Sequence, residues 1–129
     1  MKRSTCLTAL LFLTLGAARS QSSGTITLTG WFGDDRCAPV RLQSAKLGPT
    51  NPECSKTCIE KGAAPVFISE SRREILTVKN YANVVDDLGF KVEATGSLDE
   101  STKTFTISSV KQLGFDGAAC SRPVKKSAK

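Results

Sequence analysis

The residues with the most chemistry in this chain are its cysteines. Cys54 and Cys58 stand four positions apart, with Cys37 before them, Cys120 well downstream and Cys6 near the start. On a helix, residues four apart leave the same face with Cβ atoms about 5–6 Å apart, wider than the roughly 3.5–4.5 Å that a disulfide spans. A helical Cys54 and Cys58 are therefore not expected to bond to each other. Cys37 is then left to pair with Cys54 or with Cys58, and Cys120 takes the other; both connectivities stay open. A bridge closing the Cys37 loop would contribute about 3 kcal/mol, a large share of a small domain's stability. The alternative is a soft-metal or thiol-redox site in which Cys37, Cys54 and Cys58 present three thiols, a donor set that favours zinc or monovalent copper. The Cys54–Cys58 spacing is neither the usual two-residue metal knuckle nor the two-residue separation of thioredoxin-like pairs, so structural disulfides are the leading expectation.

The other reactive residue types point away from catalysis. The chain has no histidine, which removes the ordinary triad and the imidazole base. Asp34-Asp35 and Asp86-Asp87 are paired only in sequence and are expected to be solvated surface. No glycine-rich phosphate loop, nucleophile elbow or metal-hydrolase motif is present. The expectation is a protein that is not an enzyme and carries no cofactor.

The first twenty residues read as a secretory signal. Lys2 and Arg3 precede an apolar run from Leu7 to Leu15, and Ala18-Arg19-Ser20 supplies the small residues that a signal peptidase accepts. Cleavage near Ser20-Gln21 would remove Cys6 and leave roughly 109 residues, enough for one domain with a modest core. Four cysteines would remain, and an even count in an exported domain points to disulfides. The expected location is extracytoplasmic, periplasmic or secreted, with no transmembrane segment after signal removal. The pI of 9.2 misleads, because the net charge of +6 falls to +3 without the signal. Residues 21–113 hold eleven basic and eleven acidic side chains, so the domain lacks the basic stripe that would track a phosphate backbone. Nucleic acid is thus an unfavoured partner. The surplus sits in a basic, flexible tail, 114–129, where Arg122, Lys125, Lys126 and Lys129 are candidates for contact with anionic envelope polymers or lipid surfaces.

The elements that would position the cysteines follow from periodicity. Residues 25–33 alternate as a first strand, with Trp31 on the opposite parity from Ile26 and Leu28, so that it is either partly exposed or turned inward across a bulge at Gly30. Residues 36–50 show no sustained period. Asn51 as N-cap, Pro52 at the first helical position, Glu53 at the positive end and Gly62 as stop define a short helix carrying Cys54 and Cys58. Strands over 65–69 and 74–78 form a hairpin. Asn80 then caps a helix whose Tyr81, Val84, Val85 and Leu88 share one face, ending at Gly89. The run 90–98 alternates cleanly, and the last strand carries Phe105 and Ile107 before its parity slips to Val110, as a bulge across Ser108-Ser109 would produce.

That order, all-β with short helices (β-β-β-α-β-β) and a cysteine-containing helical insertion at 34–62 after the first strand, predicts a five-stranded OB-fold-like barrel over 21–113. Gly89-Phe90-Lys91-Val92-Glu93-Ala94-Thr95-Gly96-Ser97-Leu98-Asp99, followed by Phe105-Thr106-Ile107 and Val110, resembles the small OB-fold proteins that bacteria export to the periplasm. Gly30-Trp31-Phe32-Gly33-Asp34-Asp35-Arg36-Cys37 and Cys54-Ser55-Lys56-Thr57-Cys58-Ile59-Glu60-Lys61-Gly62-Ala63 resemble a cysteine-bearing branch of them without assigned activity. That branch often has a histidine shortly after the first cysteine, which this chain lacks. The resemblance implies an exported, non-catalytic binding or envelope-associated module of unknown ligand. Its binding face would lie on the second and third strands, with Trp31, Phe67 and Tyr81 as candidate stacking groups for oligosaccharides, peptides, small cationic compounds or, as a further alternative, single-stranded nucleic acid.

Overall fold

The computed structural model describes residues 24–117. The expected signal segment 1–20 with its cleavage at Ser20-Gln21, Cys120, and the basic side chains Arg122, Lys125, Lys126 and Lys129 lie outside the described residues. In order, the elements are β1 Thr25–Asp34, α1 Ala38–Gln43, α2 Pro52–Glu60, β2 Pro65–Ser69, β3 Glu74–Lys79, β4 Phe90–Asp99 and β5 Thr104–Phe115. The strands close into a ring in the order β1-β2-β3-β5-β4, with β4 returning to β1. All ladders are antiparallel except β3–β5.

Closure depends on β1 serving two partners. Its first seven residues pair with β4 and its last five with β2, so Gly30 and Trp31 belong to both ladders. A side chain at Gly30 would put its Cβ 2.0 Å from the Ile68 carbonyl oxygen, so only glycine lets the strands approach at this corner. Trp31 turns inward there and is 2% exposed. Its indole N–H donates to Asp116 (3.2 Å) and Lys91 Nζ lies 5.4 Å from the ring centroid. On β5 the parity slip is a bulge: Thr95 pairs with Ser109 and Gly96 with Ile107, so Ser108 is the extra residue and its hydroxyl donates to the Thr95 carbonyl.

Alternation on β2 divides two cores. Phe67 points into the ring, against Phe32 (centroids 5.5 Å) and Phe105 (5.6 Å), in the cluster that also holds Leu28, Leu76, Val92 and Leu98. Each buried aromatic contributes on the order of 2–3 kcal/mol. Val66 and Ile68 face the other way and pack against Ala38 of α1.

Two expectations are corrected here. The segment 36–50, expected to lack regular structure, contains α1; Ala38 is fully buried against β2, and this tertiary contact forms the helix where periodicity is too short to show. The helix expected from Asn80 to Leu88 is instead a run of turns, with amide-to-carbonyl bonds three residues back from Asp86 to Asn83 and from Asp87 to Val84. Asn80 takes φ 60, not the extended conformation of an N-cap, so no α-helical turn is started. Val84 and Leu88 still face the core. Among the described residues the secondary-structure order is therefore mainly β, with the helices confined to the segment between β1 and β2. Among the described residues no helix is long and apolar enough to cross a membrane.

Candidate functional site

The cysteines are positioned by one buried carboxylate. Asp34 ends β1 and is 0% exposed. Its Oδ1 accepts from the amides of Arg36 (3.1 Å) and Cys37 (3.0 Å), turning the chain out of β1 and setting Cys37 at the N-cap of α1. Its Oδ2 accepts from Ser55 Oγ at 2.6 Å, which draws α2 against the end of β1. Ser55 Oγ is also 2.6 Å from Thr50 Oγ1. A hydroxyl has a single proton and a carboxylate can only accept, so Ser55 donates to Asp34 and Thr50 supplies the other proton. The expectation that Asp34 is solvated surface is corrected: two backbone amides and a hydroxyl satisfy it in the interior. Burial alone would raise its pKa, but the bonds from Ser55, Cys37 and Arg36 outweigh that and hold it below the ordinary carboxylate value.

Helix α2 forms as its punctuation predicts. Asn51 Oδ1 accepts from the Cys54 amide at 3.0 Å, Pro52 opens the helix, and Gly62 beyond its end has φ 90. Cys54 therefore sits in the first turn and Cys58 in the last. Ser55 is buried between them on the Asp34 side, and Ile59 packs on the ring core.

The result is a cluster of three sulfurs. Cys37 and Cys54 Sγ are 3.9 Å apart, and the sulfurs of Cys37, Cys54 and Cys58 all lie within 4.8 Å of one another. A disulfide requires about 2.05 Å. The expected bridges from Cys37 to Cys54 or to Cys58 are accordingly corrected: all three are free thiols. The helical spacing separates Cys54 from Cys58, and the Asp34 turn brings Cys37 to van der Waals contact with Cys54 and no closer. Burial, the contact with Cys54 and the Asp34 charge push the Cys37 thiol up to about 12. Burial and the same negative charge also raise Cys58.

The candidate stacking groups lie elsewhere and are engaged. Trp31 and Phe67 are 2% and 0% exposed. Tyr81 stacks on Phe32 with centroids 5.2 Å apart and donates its hydroxyl to Asp87. Asp87, expected on the wet side, is only 5% exposed and also accepts from Gln112. Trp31 and Phe67 therefore present no ring to solvent, and Tyr81 is half-buried.

Beside the cluster lies a cavity of about 340 Å³ whose lining includes Arg36, Val40, Arg41, Cys37 and Cys54. Sequence reasoning missed this cavity because α1 was not foreseen, and the Asp34–Ser55 bond because its partners stand 21 positions apart. An aspartate followed two and three positions later by amides it caps was the one local signal available. Comparisons with protein-family models, curated proteins and solved structures find no match.

Proposed function

We propose that the chain is an exported, non-catalytic OB-fold-like binding module whose ligand is a soft metal ion, zinc or monovalent copper, held by Cys37, Cys54 and Cys58. The observation that carries this reading is the convergence of three thiols within 4.8 Å. With metal–sulfur bonds of about 2.3 Å, two sulfurs on one trigonal or tetrahedral metal lie about 3.8–4.0 Å apart, and the Cys37–Cys54 separation is 3.9 Å. Charge supports the same reading. Burial first, and then the Asp34 charge and the neighbouring Cys54, raise the thiols of Cys37 and Cys58; a soft cation would supply the positive charge that three thiolates beside Asp34 need. The order β1-β2-β3-β5-β4 supports the OB-fold likeness. The apolar start of the sequence supports export.

The role of the domain in this reading is to hold the ligands at fixed separation. β1 carries Cys37 through the Asp34 turn, and α2 carries Cys54 and Cys58 through Ser55. A three-thiolate set leaves one tetrahedral position for an exogenous ligand.

The test is metal titration of reduced, full-length protein with a thiol reagent as reporter. The expected result is one zinc or copper(I) per chain that protects three thiols. Affinity should rise with pH by up to about tenfold per displaced proton per unit, and Cys54→Ser should weaken binding at least about 100-fold, given that changes even behind the ligand shell typically cost 10–100-fold. Retention of no metal, or unprotected Cys37 and Cys58, overturns the reading.

A further inference from the structure

The cavity next to the cluster has a composition that the metal reading does not use. It is lined by two of the three thiols, Cys37 and Cys54, and not by Cys58. Cys54 is exposed, and Cys37 lies behind it at 3.9 Å. Two guanidinium groups, Arg36 and Arg41, share the lining, and neither takes part in any ion pair among the described residues. Val40, 67% exposed, adds an apolar wall. A volume of about 340 Å³ is in the range of small-ligand pockets. Guanidinium groups match carboxylates in geometry and charge.

We infer that this cavity takes a low-molecular-weight disulfide bearing carboxylates, and that Cys54 exchanges with it while Cys37 resolves the product. Arg36 and Arg41 hold the carboxylates and Val40 covers the ligand's hydrocarbon part. Cys54, having released its proton to solvent, attacks one ligand sulfur. The ligand's S–S bond breaks, a Cys54–ligand mixed disulfide forms, and one small thiolate leaves and takes up a proton. Cys37 then attacks the Cys54 sulfur, its proton passing to the departing ligand sulfur, and moves from 3.9 Å to the roughly 2.05 Å of a bond. The second half of the ligand leaves as a thiol. Two protein thiols have lost two electrons and the small disulfide has gained them. This inference shares the thiol cluster with the proposed metal site but does not depend on metal binding.

The test uses reduced, metal-free, full-length protein with oxidised glutathione as the anionic probe and 2-hydroxyethyl disulfide as the neutral one, read by intact mass and peptide mapping. Wild type should end with a Cys37–Cys54 bridge. Cys37→Ser should instead accumulate one glutathionyl group on Cys54, and Cys54→Ser should form neither product. The double variant Arg36→Ala/Arg41→Ala should react about tenfold more slowly with the anionic probe and at an unchanged rate with the neutral one. Circular dichroism establishes that each variant is folded. First modification at Cys58, or equal slowing with both probes, overturns the proposal. If the chain takes up no metal and the exchange proceeds as described, the metal reading fails and this one stands.

Discussion

Asp34 and Ser55, 21 positions apart, share a buried 2.6 Å hydrogen bond that joins the end of β1 to helix α2. Every sulfur in the cluster hangs from one side or the other of that bond. Cys37 follows Asp34 through a turn whose amides the same carboxylate accepts, and Cys54 and Cys58 flank Ser55. Losing either partner leaves a polar group buried without its mate, which costs more than the bond itself contributes.

Ser55→Ala and Asp34→Ala should therefore each lower stability by about 1–3 kcal/mol. Because they remove the same contact, the double variant should cost less than the sum, with a coupling of about 0.5–3 kcal/mol. Urea denaturation of the four proteins measures this directly. Additive losses would mean the two side chains act separately.

Asp34 should contribute to the acid limb of stability, alongside Glu74, Asp99 and Glu100, whose carboxyls are also held below their ordinary values. The Asp34 pKa is depressed in the folded state, so its contribution is complete above the ordinary carboxylate value and disappears as pH falls through the lower folded value. Stability should decline below about pH 4, and Asp34→Asn should flatten that decline while starting from a lower plateau. The check is chemical denaturation across pH 2–7; a variant with the wild-type slope would contradict it.

Trp31, the single tryptophan, should emit as an interior residue and resist quenching by acrylamide. Adding oligosaccharides or single-stranded oligonucleotides should leave its emission unchanged, because its ring is closed in beneath Lys91. Phe67→Ala should cost about 3–5 kcal/mol and leave the thiol count as it is. A ligand-induced shift in emission would restore the aromatic binding face that the burial of these rings opposes.

How much of this was legible beforehand depends on the range of the interaction. Asn51, Pro52, Glu53 and Gly62 carry α2 in local sequence, and the structure places the helix between them. Strict alternation carries β4, and the slip from Ile107 to Val110 correctly marks Ser108 as a bulge. Those signals are short-range and survive folding. Asp34 and Asp87 look like solvated pairs until their partners arrive from 21 and 25 positions away, a distance no periodicity reports. Helix α1 is six residues long and exists because Ala38 finds Val66 and Ile68. The helical spacing of Tyr81, Val84, Val85 and Leu88 correctly identifies a core-facing group but not its backbone, since Asn80 enters with φ 60.

Tyr81 offers a second titration test. Burial, then the hydrogen bond to Asp87 and its charge, push the phenol well above its ordinary pKa. A raised folded-state pKa means that its contribution to stability is complete below the ordinary value near 10 and is lost as pH climbs through the folded one. Ultraviolet titration should show no tyrosinate at pH 10 in the native protein, with ionisation appearing on unfolding; Asp87→Asn should lower the onset.

The most direct test of the three-thiol site is X-ray absorption at the zinc edge, using the Cys6→Ser/Cys120→Ser variant so that no thiol outside the cluster can contribute. The account predicts three sulfur scatterers at about 2.3 Å and one lighter ligand. A shell of oxygen and nitrogen with fewer than two sulfurs would contradict it.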